Sequence, residues 1–453
     1  MSSNAPPRAS LDRGMGLLHA SATNVISMVG VGPFLTIPFM LAAINGPHIL
    51  YAWLAGAVLA LADGLVYAHL GAALPGSGGP YLYLLEAYRP LGLGRLLAFV
   101  FLFQILLVAP LSIASGAVGF ADYLQFYWTA MSPREHHLLA ALVCLAMTAL
   151  VYRDIRSVGR LTVVMLLVVI VTIGWVIAAG LFSFSPAQAF AFPERAYRFD
   201  GELLSSIGAT AILAMYSYGG YNQVCNIAEE VRDPTRTVPR SIVLSILGVA
   251  LLYIVMSTVI VGMLPWEEAS RTRTIASLFI ERTFTDPFSG RVAGRVMTAL
   301  ILFVAASSLF ALILGYSRIL FAAAREGDFL AAFAHVHPTR HFPDVAVVAI
   351  GVVAVPFCFF SLGQIVSWLI QVQILLQFVW QCAAVILLKQ LRRDIPQPFV
   401  MWLYPLPALL SLGLWAYVFV TGPREGTIFS AAFWLLAVAA YFAFHRRRVV
   451  DGP

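Results

Sequence analysis

Charged residues are scarce in this sequence. Asp, Glu, Lys and Arg account for 11% of its 453 residues, whereas hydrophobic residues account for 60%. Soluble domains carry roughly 25% charged and roughly 45–50% apolar residues, so this composition excludes an ordinary soluble protein. Apolar runs recur along the whole chain, which predicts one multi-pass membrane domain without a soluble appendage.

Lysine, cysteine and catalytic motifs are also rare. Of 28 basic residues only Lys389 is a lysine, and the net charge is +6. The basic residues lie mostly between apolar runs, as residues that set membrane topology do. No nucleic-acid partner is therefore expected. The 4 cysteines lack metal-ligand spacing, and there is no HExxH, GxSxG or P-loop pattern. The sequence thus predicts no metal, no cofactor and no enzymatic activity.

Twelve apolar runs approach or exceed the length of about 20 residues that a membrane-spanning helix needs. The sequence therefore predicts an all-α polytopic protein with twelve transmembrane helices in the lipid bilayer. The first, third and eighth runs are long enough to be broken or tilted. The runs cover residues 17–45, 48–73, 95–127, 137–152, 158–182, 203–228, 239–263, 293–324, 344–362, 364–388, 400–420 and 427–445.

The segments between the runs predict the topology. Residues 1–16 are polar and are not followed by a cleavable signal, so they are expected to form a cytoplasmic tail. With that tail inside, basic residues favour the inner segments roughly two to one. Both termini are therefore expected in the cytoplasm, and the protein in the plasma (inner) membrane. Residues 17–390 would form the transport core, and residues 391–453 two further helices and a basic C-terminus.

The stretch from Met28 to Phe34 interrupts the first run with two glycines and a proline. Lipid offers no partner to freed backbone groups, so such a break is tolerated only where it lines a cavity. Proline suits the first turn of a restarting helix, whose free N–H groups would point at the gap. Pro33 has no N–H, so the expected donors are Gly32, Phe34 and Leu35. A substrate carboxylate is the natural occupant, and a packing kink is the alternative.

A second break, residues 216–221 (YSYGGY), lies five runs later. The helix before it exposes carbonyls and the negative end of its dipole, which suit an ammonium group. Tyr218 and Tyr221 offer a side-chain pocket their rings and hydroxyls, or else only pack. One break in each half of the chain predicts an inverted-repeat carrier that holds an amino acid by its carboxylate and its amine. The predicted substrate-binding residues are Val29, Gly30, Val31, Gly32, Phe34, Leu35, Tyr216, Ser217, Tyr218, Gly219 and Tyr221.

Four stretches resemble the amino acid–polyamine–organocation superfamily, nearest to bacterial relatives of the L-type amino acid transporters. Residues 30–34 (GVGPF) stand where the family has GSGIF, and residues 67–81 resemble its YAELG…P…GGxY pattern. Residues 219–240 resemble its sixth-helix motif, DGWN…EE…P…PR, and residues 317–338 its eighth-helix motif, SR…FAAAREGx…HP. The likeness runs in order from about residue 15 to about residue 390.

This resemblance implies a five-plus-five inverted repeat (LeuT-like) with broken helices 1 and 6, and transport by alternating access. It also implies substrate contacts at the first-break backbone and at the carbonyls of residues 216–218. The sequence departs from the family at several positions. Val31 and Pro33 replace a Ser and an Ile. Gly219 replaces an Asp of many relatives, and His69 replaces the second-helix Glu.

Three residues are candidates for ion or proton coupling. Some proton-coupled relatives carry a Lys in span five, whereas this chain has none there and Met165 lies near the expected place. Sodium-coupled relatives use span-eight hydroxyls, which Ser307 and Ser308 would supply unless they only pack helices. Asp63 in span two would carry a proton or pair structurally, because charges inside a bilayer are expensive and usually functional.

The charged residues near the breaks indicate how the cytoplasmic side could be gated and what charge the substrate carries. A salt-bridge network that gates the cytoplasmic side is expected from Glu229, Glu230, Arg318 and Arg325. No obvious acid lies at either break, which favours neutral L-amino acids. A polyamine or cationic amino acid carrier is the alternative, with Asp63 and Asp122 as its only candidate carboxylates. A nutrient sensor or a membrane enzyme is less favoured, because no signalling domain or catalytic constellation is predicted.

Overall fold

The computed structural model describes residues 15–76, 78–152, 158–198, 200–325, 327, 329–338 and 342–450. This part of the chain is helical and contains no β-strand; its one isolated bridge joins Met15 to Val231. The all-α class predicted from the sequence is confirmed. The expected cytoplasmic tail, residues 1–16, lies outside the described residues except for Met15 and Gly16.

Helices in the first part of the chain begin at residues suited to helix starts. Helix α6 opens with a capping box, in which Ser132 and Glu135 each bond the other's backbone N–H. Proline occupies the first turn of α2, α4, α6 and α8, where a missing N–H costs nothing. These helices are α1 (Leu17–Met28), α2 (Gly32–Ile44), α3 (Leu50–Ala73), α4 (Pro80–Ala87), α5 (Gly94–Leu124), α6 (Pro133–Val151), α7 (Val158–Phe182) and α8 (Pro186–Ala189).

The second part of the chain contains the longest helix and a π turn. The π turn, Ile374–Phe378, joins α16 to α17, and a 3₁₀ turn, Val355–Phe359, extends α15. The helices are α9 (Gly201–Tyr218), α10 (Gln223–Asn226), α11 (Pro234–Met263), α12 (Trp266–Arg271), α13 (Ile275–Arg282), α14 (Pro287–Arg325), α15 (Asp344–Ala354), α16 (Leu362–Gln373), α17 (Val379–Leu391), α18 (Leu406–Thr421) and α19 (Arg424–Val450).

Several helices are long and apolar enough to cross a membrane. Among the described residues there are 7 such helices, or 8 when the bent pair α1–α2 counts as one span. Three shorter apolar helices accompany them: Leu166–Phe182, Asp344–Phe359 and Leu406–Thr421. Each of the twelve apolar runs contains helix, and the chain is a multi-pass membrane protein.

Small residues let the helices approach closely. Helix α3 packs along α11 and α9, and α2 packs along α9. A Cβ added at Gly56 of α3 would lie 2.8 Å from Cβ of Ala214 in α9. Close backbone approach of this kind is how membrane helices gain packing contacts. Helix α2 is buried along nearly its whole length, so the bundle encloses the first break.

Both interruptions lie inside the bundle. Helices α1 and α2 meet at an angle of 47°, with residues 29–31 between them. Helix α9 ends at Tyr218, and Gly219 that follows is extended, with ψ of 139°. Gly220 has φ of +109°, a conformation that only glycine adopts without strain. The chain therefore leaves helical geometry at both places where the sequence predicts a break.

Candidate substrate-binding site

The two breaks lie against each other. A Cβ added at Gly32 would lie 3.4 Å from Cε1 of Tyr216 and 3.6 Å from Cα of Ser217. A Cβ added at Gly30 would lie 2.8 Å from Oγ of Ser308. Because these two positions carry no side chain, the first break approaches both the end of α9 and the middle of α14.

A cavity of about 220 Å³ lies between the breaks. This volume is below the roughly 300–1,000 Å³ of drug-sized pockets, which favours a small metabolite. Residues of α1, α2, α5, α9, α14 and the π turn line it. The predicted site residues in its wall are Gly30, Val31, Gly32, Tyr216, Gly219, Tyr221 and Ser308.

Other predicted site residues lie behind the cavity wall. Oγ of Ser217 is 2.9 Å from Oγ1 of Thr36, which joins α9 to α2. The Tyr218 hydroxyl donates to the Trp53 carbonyl of α3 at 3.3 Å. These buried side chains shape the breaks without lining the cavity. The residues outside its wall are Val29, Phe34, Leu35, Ser217, Tyr218, Ser307 and Asp63.

The start of α2 reaches the cavity at Gly32. The first N–H groups of a helix have no acceptor within the helix, and of Gly32 and Phe34 only Gly32 lies in the cavity wall. The Leu35 N–H instead donates to the Val31 carbonyl at 3.3 Å. The expectation that Leu35 supplies a free donor is therefore wrong, because Val31 already acts as the N-cap of α2. The positive end of the α2 dipole remains next to the cavity.

Tyr253 of α11 joins the two breaks. Its hydroxyl oxygen lies 2.9 Å from the Met28 carbonyl oxygen and 3.1 Å from that of Ser217. One hydroxyl hydrogen serves one of these carbonyls at a time, so Ser217 shares its carbonyl with the protein. The Tyr216 hydroxyl donates to Oγ of Ser115 at 3.0 Å. Tyr253 lies within an unbroken apolar run, so nothing in the sequence marks it as a site residue.

Uncharged polar groups make up the polar part of the wall. Among the described residues, no Asp, Glu, Lys, Arg or His lines the cavity. Nε2 of Gln104 donates to Oε1 of Gln377 at 2.8 Å, and Nε2 of Gln377 donates to the Tyr67 hydroxyl at 2.7 Å. Oε1 of Gln104 has no partner within the described part. Gln104 and Gln377 line the cavity, and sequence reasoning missed both.

Asp63 lies one side chain away from the cavity. It is 0% exposed, and its Oδ2 accepts from the Tyr221 hydroxyl at 2.5 Å. Its Oδ1 accepts from Oγ of Ser411 and from Nε1 of Trp415, each at 3.0 Å. The structure thus places Asp63 behind Tyr221, where it cannot touch a ligand in the cavity directly.

Asp122 belongs to a different cluster. Its Oδ1 lies 3.0 Å from Nε2 of His136 and 3.1 Å from Nη1 of Arg273. These contacts join the end of α5 to the start of α6 and to the segment before α13. Asp122 is absent from the cavity wall, so its carboxylate is not available there to a cationic ligand.

The hydroxyls of α14 differ in position. Ser308 meets the first break at Gly30 and lines the cavity, whereas Ser307 is buried away from it. A Ser308 hydroxyl near unwound backbone is compatible with a sodium site, which stays a prediction. The Met165 side chain in α7 lies outside the described part of the structure.

The residues of the expected cytoplasmic gate lie near the surface of the bundle. Arg318, Arg325 and Glu229 are exposed. In the described part of the chain, no ion pair joins Glu230 to Arg318 or Arg325. The Glu230 backbone carbonyl accepts from the Met15 N–H at 3.0 Å. The gating role of these charges stays a prediction.

Comparison with known proteins gives one family and several relatives. The sequence model of the family described as amino acid permease matches residues 15–444. The methylthioribose transporter of Bacillus subtilis (strain 168) is 26% identical over 458 residues, 97% of this chain and 94% of that protein. The branched-chain amino acid permease BcaP of the same organism is 24% identical over 464 residues, with the same shares. Cationic amino acid transporter 4 of Homo sapiens is 26% identical over 358 residues, 76% of this chain and 54% of that protein.

Proposed function

Because the chain belongs to the amino acid permease family, we propose that it moves neutral L-amino acids across the plasma (inner) membrane by alternating access. The observation that carries this proposal is the uncharged cavity between two helix ends. The N–H groups at the start of α2 suit a carboxylate. The carbonyls at the end of α9 suit an ammonium group. An amino acid with an uncharged side chain matches both ends and the wall.

The proposed architecture follows from the same two breaks. Twelve transmembrane helices form a five-plus-five inverted repeat, in which α1–α2 opens the first repeat and α9–α10 the second. Residues 17–390 are the transport core, and residues 391–453 add two helices and a basic tail. Both termini lie in the cytoplasm. Support comes from the paired interruptions, which transporters of this kind place at their substrate site, and from the distribution of arginine.

A cationic or polyamine substrate is less favoured. Binding an extra positive charge in a low-dielectric cavity needs a carboxylate in the wall. Of the two candidates, Asp63 lies behind Tyr221 and Asp122 contacts Arg273. A relative named for cationic amino acids, at 26% identity, does not carry its substrate over to this chain.

A neutral polar metabolite other than an amino acid is the second candidate. The observation that favours it is the unpartnered Oε1 of Gln104, an acceptor in the wall that suits a hydroxyl or amide group. The relative named as a methylthioribose transporter gives this candidate a specific compound to test.

Counterflow in proteoliposomes tests the proposed function. Vesicles carrying the purified protein are loaded with excess unlabelled leucine and alanine, without any ion gradient. Labelled leucine, alanine, arginine, putrescine and methylthioribose are then added outside, one at a time. A second set of vesicles is loaded with the same unlabelled compound that is added outside in labelled form. Accumulation of leucine or alanine supports the proposal. Accumulation restricted to arginine, putrescine or methylthioribose contradicts it, and protein-free vesicles give the background.

A further inference from the structure

Asp63 is a buried acid whose partners are all uncharged donors. The Tyr221 hydroxyl donates to Oδ2 at 2.5 Å. Ser411 and Trp415 donate to Oδ1 at 3.0 Å each, and the Cys382 thiol lies 3.6 Å from the same oxygen. In the part of the chain that the structure describes, no Lys, Arg or His lies within ion-pair distance of Asp63.

The absence of a cation distinguishes Asp63 from Asp122. The Arg273 guanidinium offsets the charge of Asp122, whose Oδ1 also lies 3.0 Å from Nε2 of His136. An ionised carboxylate without a counter-ion costs several kcal/mol to bury, even though hydrogen-bond donors reduce that cost. Binding of one proton neutralises the carboxylate and removes this cost. The surroundings of Asp63 are therefore compatible with both of its forms: hydrogen-bond donors stabilise the ionised form, and the lack of a counter-ion favours the protonated form.

Two contacts connect Asp63 to the substrate cavity. Tyr221 lines the cavity and follows Gly220 at the second break. Trp415 stacks on Phe378 of the π turn, with ring centroids 4.2 Å apart, and Phe378 also lines the cavity. A change in the hydrogen bonds of Asp63 therefore reaches the cavity wall through a single residue, Tyr221, or through one stacked pair.

We propose that Asp63 binds the proton that couples to transport and that Tyr221 links its protonation to substrate binding. This inference rests on the proposed function. In the ionised form, Tyr221 donates its hydroxyl hydrogen to Oδ2. When a proton binds Oδ2, the acid becomes the donor and the Tyr221 oxygen the acceptor. The Tyr221 hydrogen then turns toward the cavity and donates to the substrate, so the proton and the substrate strengthen each other's binding.

The surroundings favour a proton over a sodium ion. Four donors already point at the two carboxylate oxygens, and the Trp415 N–H cannot coordinate a cation. The titratable groups that face Asp63 are Tyr67 on its own helix, Tyr221 after the second break and Cys382 on α17. Tyrosine and cysteine ordinarily titrate at about pH 10 and about pH 8.5. Within the described residues, Asp63 is thus the only carboxyl group among the titratable groups of this cluster, and the one suited to binding a transported proton.

The test measures proton-driven accumulation of a neutral amino acid beside gradient-free counterflow. In wild-type vesicles, an inward pH gradient of one unit should drive accumulation up to about tenfold, since 1.4 kcal/mol corresponds to a factor of ten. An entrapped pH dye should report lumen acidification on substrate addition. Asp63→Asn mimics the protonated acid, so its counterflow should lose pH dependence and its gradient-driven accumulation should vanish. Asp122→Asn, a buried acid outside this cluster, is the control that should still accumulate.

The outcomes separate this inference from the proposed function. Absence of wild-type counterflow for neutral amino acids contradicts the proposed function. Wild-type counterflow with no response to the pH gradient contradicts the proton site alone, as does wild-type accumulation by Asp63→Asn. If Asp63→Asn does not fold, Tyr221→Phe decides. The wild-type KM should rise as the pH is raised, and the KM of this variant should not change with pH; an unchanged pH response in Tyr221→Phe contradicts the link.

Discussion

At the residue scale, Gly32 marks how closely the breaks approach. A Cβ there would lie 3.4 Å from the Tyr216 ring, an ordinary contact, whereas a longer side chain would enter the cavity. Gly32→Ala should therefore transport within a few-fold of wild type. Gly32→Leu should lose transport by roughly 100-fold, the loss expected when a binding geometry is displaced, at unchanged membrane abundance. Equal uptake by the two variants, measured in the same vesicles, would argue against a site at the first break.

His48 precedes helix α3 (Leu50–Ala73) and so lies just outside the span that the structure describes, where it provides a pH prediction. Burial and the nearby Arg195 lower the pKa of His48 from 6.5 to about 4. The unfolded chain then binds more protons than the folded one between these values. The stability contribution of neutral His48 is present above pH 6.5 and is lost as pH falls toward 4.

His48→Gln should remove part of this acid sensitivity. In detergent, the free energy of unfolding of wild type should fall between pH 7 and pH 5 by on the order of 1 kcal/mol more than that of the variant. The measurement is the apparent unfolding temperature at both pH values. Parallel pH dependence in the two proteins would show that His48 does not titrate in this way.

Some residues of the site can be predicted from the sequence and others cannot. The first break can be recognised in the sequence because its glycines and proline interrupt a run that otherwise predicts a membrane helix. Gln104 and Gln377 are isolated polar residues 273 positions apart, and only folding makes them a pair. Leu35 was misassigned because a helix boundary is uncertain by one or two residues, and that shift decides whether its N–H is free.

At the scale of elements, the second break depends on the conformation of one glycine. Gly220 has φ of +109°, and a Cβ there would lie 2.7 Å from the Ser27 backbone carbon of α1. Gly220→Ala should destabilise the protein by about 1–3 kcal/mol, seen as a lower unfolding temperature in detergent. Gly219→Ala is the matched control, because its Cβ would meet nothing closer than 3.4 Å. Similar unfolding temperatures for both variants would mean that α1 does not constrain this turn.

The helices themselves were largely predictable, and their irregular parts were not. Apolar run length located helix in each of the twelve runs because burial in lipid requires internally bonded backbone. The π turn Ile374–Phe378 and the short helix α10 leave no comparable signal. At the π turn, Nε1 of Trp380 donates to the Leu375 carbonyl at 2.9 Å, a local contact that apolar run length does not reveal.

At the scale of the whole molecule, the proposed transport depends on one arrangement of helices. Two helix ends of opposite polarity meet across an uncharged cavity, while the buried acids Asp63 and Asp122 lie outside its wall. Composition and the two breaks predict a carrier, and the four stretches that resemble the family imply an amino acid permease. Tyr216, Tyr221 and Ser308 were among the predicted site residues, but Gln104 and Gln377 were not, because the wall is assembled from helices far apart in sequence.

The most direct measurement asks whether both ends of an amino acid are recognised. Counterflow of labelled leucine in proteoliposomes is competed by leucine, by leucinamide, which lacks the carboxylate, and by 4-methylpentanoate, which lacks the amine. Leucine should compete strongly, and each truncated compound should be weaker by at least about tenfold, since a charge-assisted contact contributes roughly 1.5–3 kcal/mol. Competition by leucinamide or 4-methylpentanoate as strong as that by leucine would contradict the proposed clamp between the two breaks.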